Sequence, residues 1–295
     1  MKLRHALLSV FAGIVLLAGC SSLDEKQREW IFQPSDRSWG AAMTDGMQDV
    51  WIEFDSKVSG EPTKLHALWM AGPPEAGANG PVLLYLHGAR WNVSGSAGRI
   101  RRMQELGFSV LAIDYRGFGK STNVLPSEDS AYEDAKQAWD WLARKHPTQP
   151  RYIFGHSLGG AIGIDLATRV KDESGLIVEG TFTSIPEVVA TFKWGWLPVS
   201  GLITQRFESL RKIDKIGSPL LVVHGSNDSL ILPSLGRKLY EAAIDPKRFV
   251  LVEGGSHHST NSVGQDQYRE ALRDLFGWQP AFGGLKTASE AGARL

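Results

Sequence analysis

The chain has 295 residues, 42% of them hydrophobic, which is enough for one sizeable core and excludes wholesale disorder. Basic and acidic residues balance at 32 each, so no charge excess points to a nucleic-acid partner. The single cysteine, Cys20, excludes an intrachain disulfide.

Taken in chain order, the first segment reads as a leader. Lys2, Arg4 and His5 form a basic start, and residues 6–18 are an apolar stretch too short for a comfortable membrane span. It ends in Leu17-Ala18-Gly19-Cys20 followed by Ser21. This resembles a bacterial lipobox. The resemblance implies that residues 1–19 are a lipoprotein signal peptide and that Cys20 carries the lipid that tethers the protein to a membrane. Serine rather than aspartate after Cys20 implies delivery to an outer membrane, facing the periplasm. Residues 20–46 are polar, with scattered Trp30, Phe32 and Trp39, and read as a tether that then packs onto the domain.

Residues 50–54 and 64–70 alternate like the strands of a hairpin. From residue 82 the pattern changes. Residues 82–86, 109–113, 151–154, 176–178, 219–223 and 248–252 are short apolar runs, as strands buried on both faces would be. Helix-like stretches lie between them at 98–106, 132–145, 158–170, 233–243 and 265–276. The alternation predicts an α/β domain over 47–277, with a mostly parallel sheet of about eight strands flanked by helices on both faces. The rhythm breaks between residues 178 and 219. An interval that long predicts a small cap insertion over about 181–217, carrying Trp194 and Trp196. Residues 278–295 read as a C-terminal tail.

The chemistry concentrates at Gly155-His156-Ser157-Leu158-Gly159-Gly160, between a strand-like and a helix-like run. A serine in G-x-S-x-G at such a junction is the signature of a nucleophile elbow. A serine hydroxyl needs a base to take its proton, and the base needs an orienting acid. Downstream, Asp228 follows the run 219–223, and His257 and His258 follow the run 248–252. The loops at the carboxyl ends of strands are where open α/β sheets assemble their sites.

Together with His87-Gly88 and Asp114-Tyr115-Arg116-Gly117-Phe118-Gly119, these motifs resemble the α/β hydrolases, in the serine-aminopeptidase-like branch that holds many small esterases. The resemblance covers about residues 50–277. It implies the α/β-hydrolase fold, Ser157 as nucleophile, Asp228 as acid and His257 as base, with Glu179 and His258 as rivals for the last two roles. It further implies an oxyanion hole built from the backbone N–H groups of Leu158 and Ala89, with Arg90 the alternative to Ala89. No cofactor is implied. Arg90 and Trp91 are candidate pocket residues, Arg90 either meeting an acidic substrate group or lying solvated. Trp194 and Trp196 are either a lid over the serine or the small core of the cap. The activity expected is cleavage of small-molecule or lipid carboxylic esters through an acyl-enzyme. The alternatives are a serine peptidase or aminopeptidase and, in another class, a non-catalytic envelope binding lipoprotein.

Overall fold

A computed structural model describes residues 22–37, 44–77, 79–192 and 200–278. Cys20, Trp194 and Trp196 lie outside the described residues, as do the leader and most of the C-terminal tail. Among the described residues no helix is long and apolar enough to cross a membrane.

The core is an eight-stranded sheet of β1 (Gln48–Asp55), β2 (Pro62–Met70), β3 (Val82–Leu86), β4 (Ser109–Ile113), β5 (Arg151–His156), β6 (Gly175–Glu179), β7 (Leu220–Gly225) and β8 (Lys247–Val252). Their spatial order is β1-β2-β4-β3-β5-β6-β7-β8. β2 pairs antiparallel with β1 and β4, and every later pairing is parallel. Every residue of β3, β5, β6 and β7 is buried, whereas the edge strand β1 buries only Ile52 fully. Strand order reverses at β3, which has β4 on one side and β5 on the other. Such a reversal opens a crevice at the carboxyl ends of the strands.

Helices cover both faces because strand side chains alternate between them. Along β3, Leu83 and Tyr85 join one apolar cluster with Ile100 and Leu272, while Leu84 and Leu86 join a second with Trp139 and Ile162. The first face is packed by α2 (Ala97–Glu105) and, after the short α7 (Thr260–Val263), by α8 (Gln265–Phe276). The second is packed by α3 (Glu128–Lys145), α4 (Leu158–Arg169) and α6 (Pro233–Ala242). α3 begins four residues before the expected stretch. Its start is the capping box of Ser127 and Ser130, each side chain bonded to the other's backbone N–H, within a stretch polar enough to pass for loop.

Two helices that the chain's periodicity did not mark bear on the site. Residues 22–32 form a helix, α1. Its Phe32 is fully buried, with ring centroids 5.8 Å from Phe207 and 6.5 Å from Phe118. The interval between β6 and β7 contains a further helix, α5 (Ile185–Ala190), capped by the Ser184 side chain, and then short 3-10 turns. At the other end, Trp278 donates its indole N–H to Leu106 O at 2.9 Å and so packs onto the domain.

Candidate active site

The chain turns sharply where β5 meets α4. Ser157 sits there at φ 56°, ψ −121°, a conformation that non-glycine residues rarely hold. The residues two positions to either side of it must be glycines because backbones approach too closely for a Cβ. A Cβ on Gly155 would fall 2.2 Å from Gly159 O, and one on Gly159 would fall 2.1 Å from Leu86 O. The Ser157 N–H donates to Glu179 O at 2.9 Å, fastening the turn to the end of β6.

His257 faces this serine from the loop after β8. Its Nε2 lies 3.0 Å from Ser157 Oγ and its Nδ1 lies 2.8 Å from Asp228 Oδ2. With a carboxylate beside Nδ1, that nitrogen carries the proton and Nε2 is left to accept from the hydroxyl. Asp228, on the loop after β7, is held from the other side by the N–H groups of Leu230 and Ile231, at 3.0 and 2.8 Å on Oδ1. Burial alone would push its carboxyl up. The hydrogen bonds of His224 and His257 outweigh that and hold it well below the usual carboxylate range.

The two rivals are placed elsewhere. Glu179 is fully buried, accepting from Arg99 Nε at 3.0 Å and from the Tyr268 hydroxyl at 2.5 Å. The His258 ring is exposed, its centroid 6.1 Å from that of Trp91. His156 is buried beside His257 O at 3.0 Å. Burial, then the charge of Arg99, push its imidazole well below the ordinary value, so it stays neutral. Nothing along the chain singles out Arg99, on α2, yet it reaches the site. Its guanidinium donates to Glu179 and, from Nη2, to the carbonyls of His257 and His258, both at 3.2 Å, so it holds two successive peptides of the loop.

Ser157 and His257 open onto a cavity of about 270 Å³ that Leu158 and Ala89 also line. The N–H groups of Ala89 and Leu158 meet no backbone acceptor among the described residues, whereas the Arg90 N–H is committed to Phe32 O at 2.8 Å. One wall is apolar, from Ile185, Val188 and Val189 of α5 and from Ile231. Trp30 and Ile31 of α1 add to the apolar lining, and Gln33, Arg90 and Trp91 also line the cavity. Among the described residues no aspartate or glutamate lines the cavity. The contribution of α1 was hidden within a polar stretch whose only signal was its scattered aromatics.

The eight-stranded order, the elbow and the site at the sheet's carboxyl edge define an α/β hydrolase, and the chain belongs to the α/β-hydrolase superfamily. The family model described as Serine aminopeptidase, S33 matches residues 78–213. An uncharacterized protein of Mycobacterium tuberculosis is 33% identical over 203 residues, covering 68% of this chain and 71% of its own. The lysophosphatidylserine lipase ABHD12 of Danio rerio is 33% identical over 189 residues, covering 57% of this chain; the match spans 48% of that lipase. Among solved structures, the Pyrococcus furiosus esterase Pf2001 superposes with a TM-score of 0.64 at 20% identity, over 83% of this chain and 98% of its own, a likeness of fold.

Proposed function

We propose that the protein is a serine esterase acting on carboxylic esters with an apolar acyl chain. The observation that carries this reading is the unbroken line of hydrogen-bond contacts from Asp228 through His257 to Ser157, ending at a cavity with one apolar wall. His257 Nε2 takes the Ser157 proton as Oγ attacks the ester carbonyl, and Asp228 stabilises the imidazolium that forms. The oxyanion is met by the N–H groups of Leu158 and Ala89. Collapse expels the alcohol, which takes its proton from His257. Water then attacks the acyl-enzyme with His257 again as base, releasing the acid and restoring Ser157.

The apolar wall of α5 and α1 supports an acyl chain as the occupant, and the lipase activity named for the Danio rerio relative agrees in substrate class. The peptidase reading, suggested by the family model's description, calls for a carboxylate to hold a substrate's terminal amine. Among the described residues the cavity offers none. The lipobox makes the enzyme a lipid-anchored envelope protein, held through Cys20 and facing the periplasm. Metabolic labelling with an alkyne fatty acid checks this, because incorporation should vanish in Cys20→Ser.

The reading is tested with a fluorophosphonate probe and a p-nitrophenyl ester series from acetate to palmitate. The parent should be labelled and hydrolyse the series. Ser157→Ala should take no label and lose roughly 10⁴-fold or more in kcat at unchanged Tm. A Ser157→Ala variant that is labelled as well as the parent refutes it.

A further inference from the structure

The segment between the lipobox and the domain is fastened to the domain at many points, and its Trp30, Ile31 and Gln33 line the cavity. Arg28 Nε donates to Pro126 O at 2.8 Å and its Nη2 donates to Leu125 O. Gln27 donates to Leu202 O at 2.8 Å, and Asp24 accepts from the Thr204 hydroxyl at 2.7 Å and the Gln205 amide at 2.9 Å. Phe32 then plugs the core.

Beyond α1, the same segment lies along residues 90–92. The Phe32 carbonyl accepts the Arg90 N–H at 2.8 Å, and Gln33 Oε1 accepts Arg90 Nε at 2.8 Å. Pro34 forms a parallel bridge with Trp91, and Asp36 O accepts from Asn92 Nδ2 at 3.1 Å. The loop so held is strained, with Arg90 at φ 71° and Trp91 at φ 61°. Two consecutive non-glycine residues at positive φ persist only where their surroundings over-determine them. Ala89 immediately precedes them.

We infer that residues 22–36 are a positioning element of the active site, holding the 89–92 loop so that the Ala89 N–H stays aimed at the oxyanion. The inference rests on the reading of Ser157 and Ala89 given above. An oxyanion donor acts because it is fixed before charge develops, so a strained loop is useful only while its strap is in place. The strap is also the stretch that joins Cys20 to the domain.

The test uses the full-length protein with Arg28→Ala, Gln33→Ala and the double variant. Arg28 touches neither the cavity nor the triad. Steady-state kinetics on p-nitrophenyl butyrate, Tm, and amide hydrogen exchange of residues 88–93 are measured together. The double variant should lose about tenfold in kcat with KM within about threefold, and exchange at 88–93 should quicken while that of β6 does not. The inference is overturned if exchange at 88–93 is unchanged, if it quickens with kcat intact, or if the loss of activity only tracks the loss of folded protein. A parent whose Ser157 takes no fluorophosphonate sinks the reading of the site, and this inference with it. A labelled parent whose variants keep kcat sinks the inference alone.

Discussion

Two buried aspartates in this molecule are each flanked by two histidines. Asp228 has His257 Nδ1 at 2.8 Å and His224 Nε2 at 3.4 Å. Asp114 has His66 Nδ1 at 3.3 Å and His87 Nε2 at 3.5 Å. Both carboxyls are held below the ordinary range: burial opposes this, and the neighbouring histidines outweigh it. Both also accept from loop N–H groups, Asp228 from Leu230 and Ile231 and Asp114 from Val93. The difference lies in what the far nitrogen of the histidine meets. His257 Nε2 meets a serine hydroxyl at the edge of a cavity. His66 Nε2 meets Asp49 at 2.5 Å, and His87 Nδ1 meets Gly88 O at 2.6 Å. A histidine–aspartate pair therefore does not by itself make a site. One pair ends on a hydroxyl at the edge of a cavity, and the other ties the edge of the sheet to the loop that carries Val93.

The contrast can be broken by exchanging one atom in each aspartate. Asp228→Asn keeps the shape but disfavours the tautomer that leaves His257 Nε2 free, so kcat on a p-nitrophenyl ester should fall by about 10⁴-fold per folded molecule. A loss under tenfold would put the orienting acid elsewhere. Asp114→Asn should spare catalysis. Removing a buried charge that faces His66 and holds the Val93 N–H should cost roughly 3 kcal/mol in denaturant unfolding, with kcat per folded molecule within about threefold. Equal losses of kcat in both variants would erase the distinction.

The smallest effect is in pH. Burial alone would push the His66 imidazole down, but hydrogen bonds to Asp114 and Asp49 outweigh it and raise it above its ordinary 6.5. A raised folded value means the stabilisation is complete below 6.5 and is lost as pH climbs through the folded value. Tm should therefore drop by about 2 °C as pH rises from roughly 6 to 8, and the drop should shrink in His66→Gln. A slope that survives His66→Gln would assign it to another group.

Much of the fold could be read along the chain. Six strands announced themselves as short apolar runs and two as an alternating hairpin, although the edge strand β8 is not buried on both faces as its run implied, because no strand pairs beyond it and Leu251 is exposed. α8 fell where the periodicity put it, at Gln265–Phe276. The elbow was legible because its glycines answer to local sterics: Gly155 and Gly159 have no room for a Cβ. What the periodicity missed was stabilised from outside the segment. α1 forms in a stretch that mixes charged and apolar residues, and its buried end meets Phe118 and Phe207, far along the chain. The start of α3 depended on a serine pair that looks like any polar turn.

The sequence by itself therefore determined the alternation of strand and helix, the elbow at Ser157 and the short list of partners after β7 and β8. Strand period, glycine sterics and chain order are properties of neighbouring residues. Only the tertiary structure decided which carboxylate faces His257, because Glu179 is drawn away by Arg99 and Tyr268 from two separate helices. It alone decided which N–H beside the serine is free, because the Arg90 N–H is taken by Phe32, nearly sixty residues earlier. Those outcomes depend on contacts between distant segments, which no local pattern encodes.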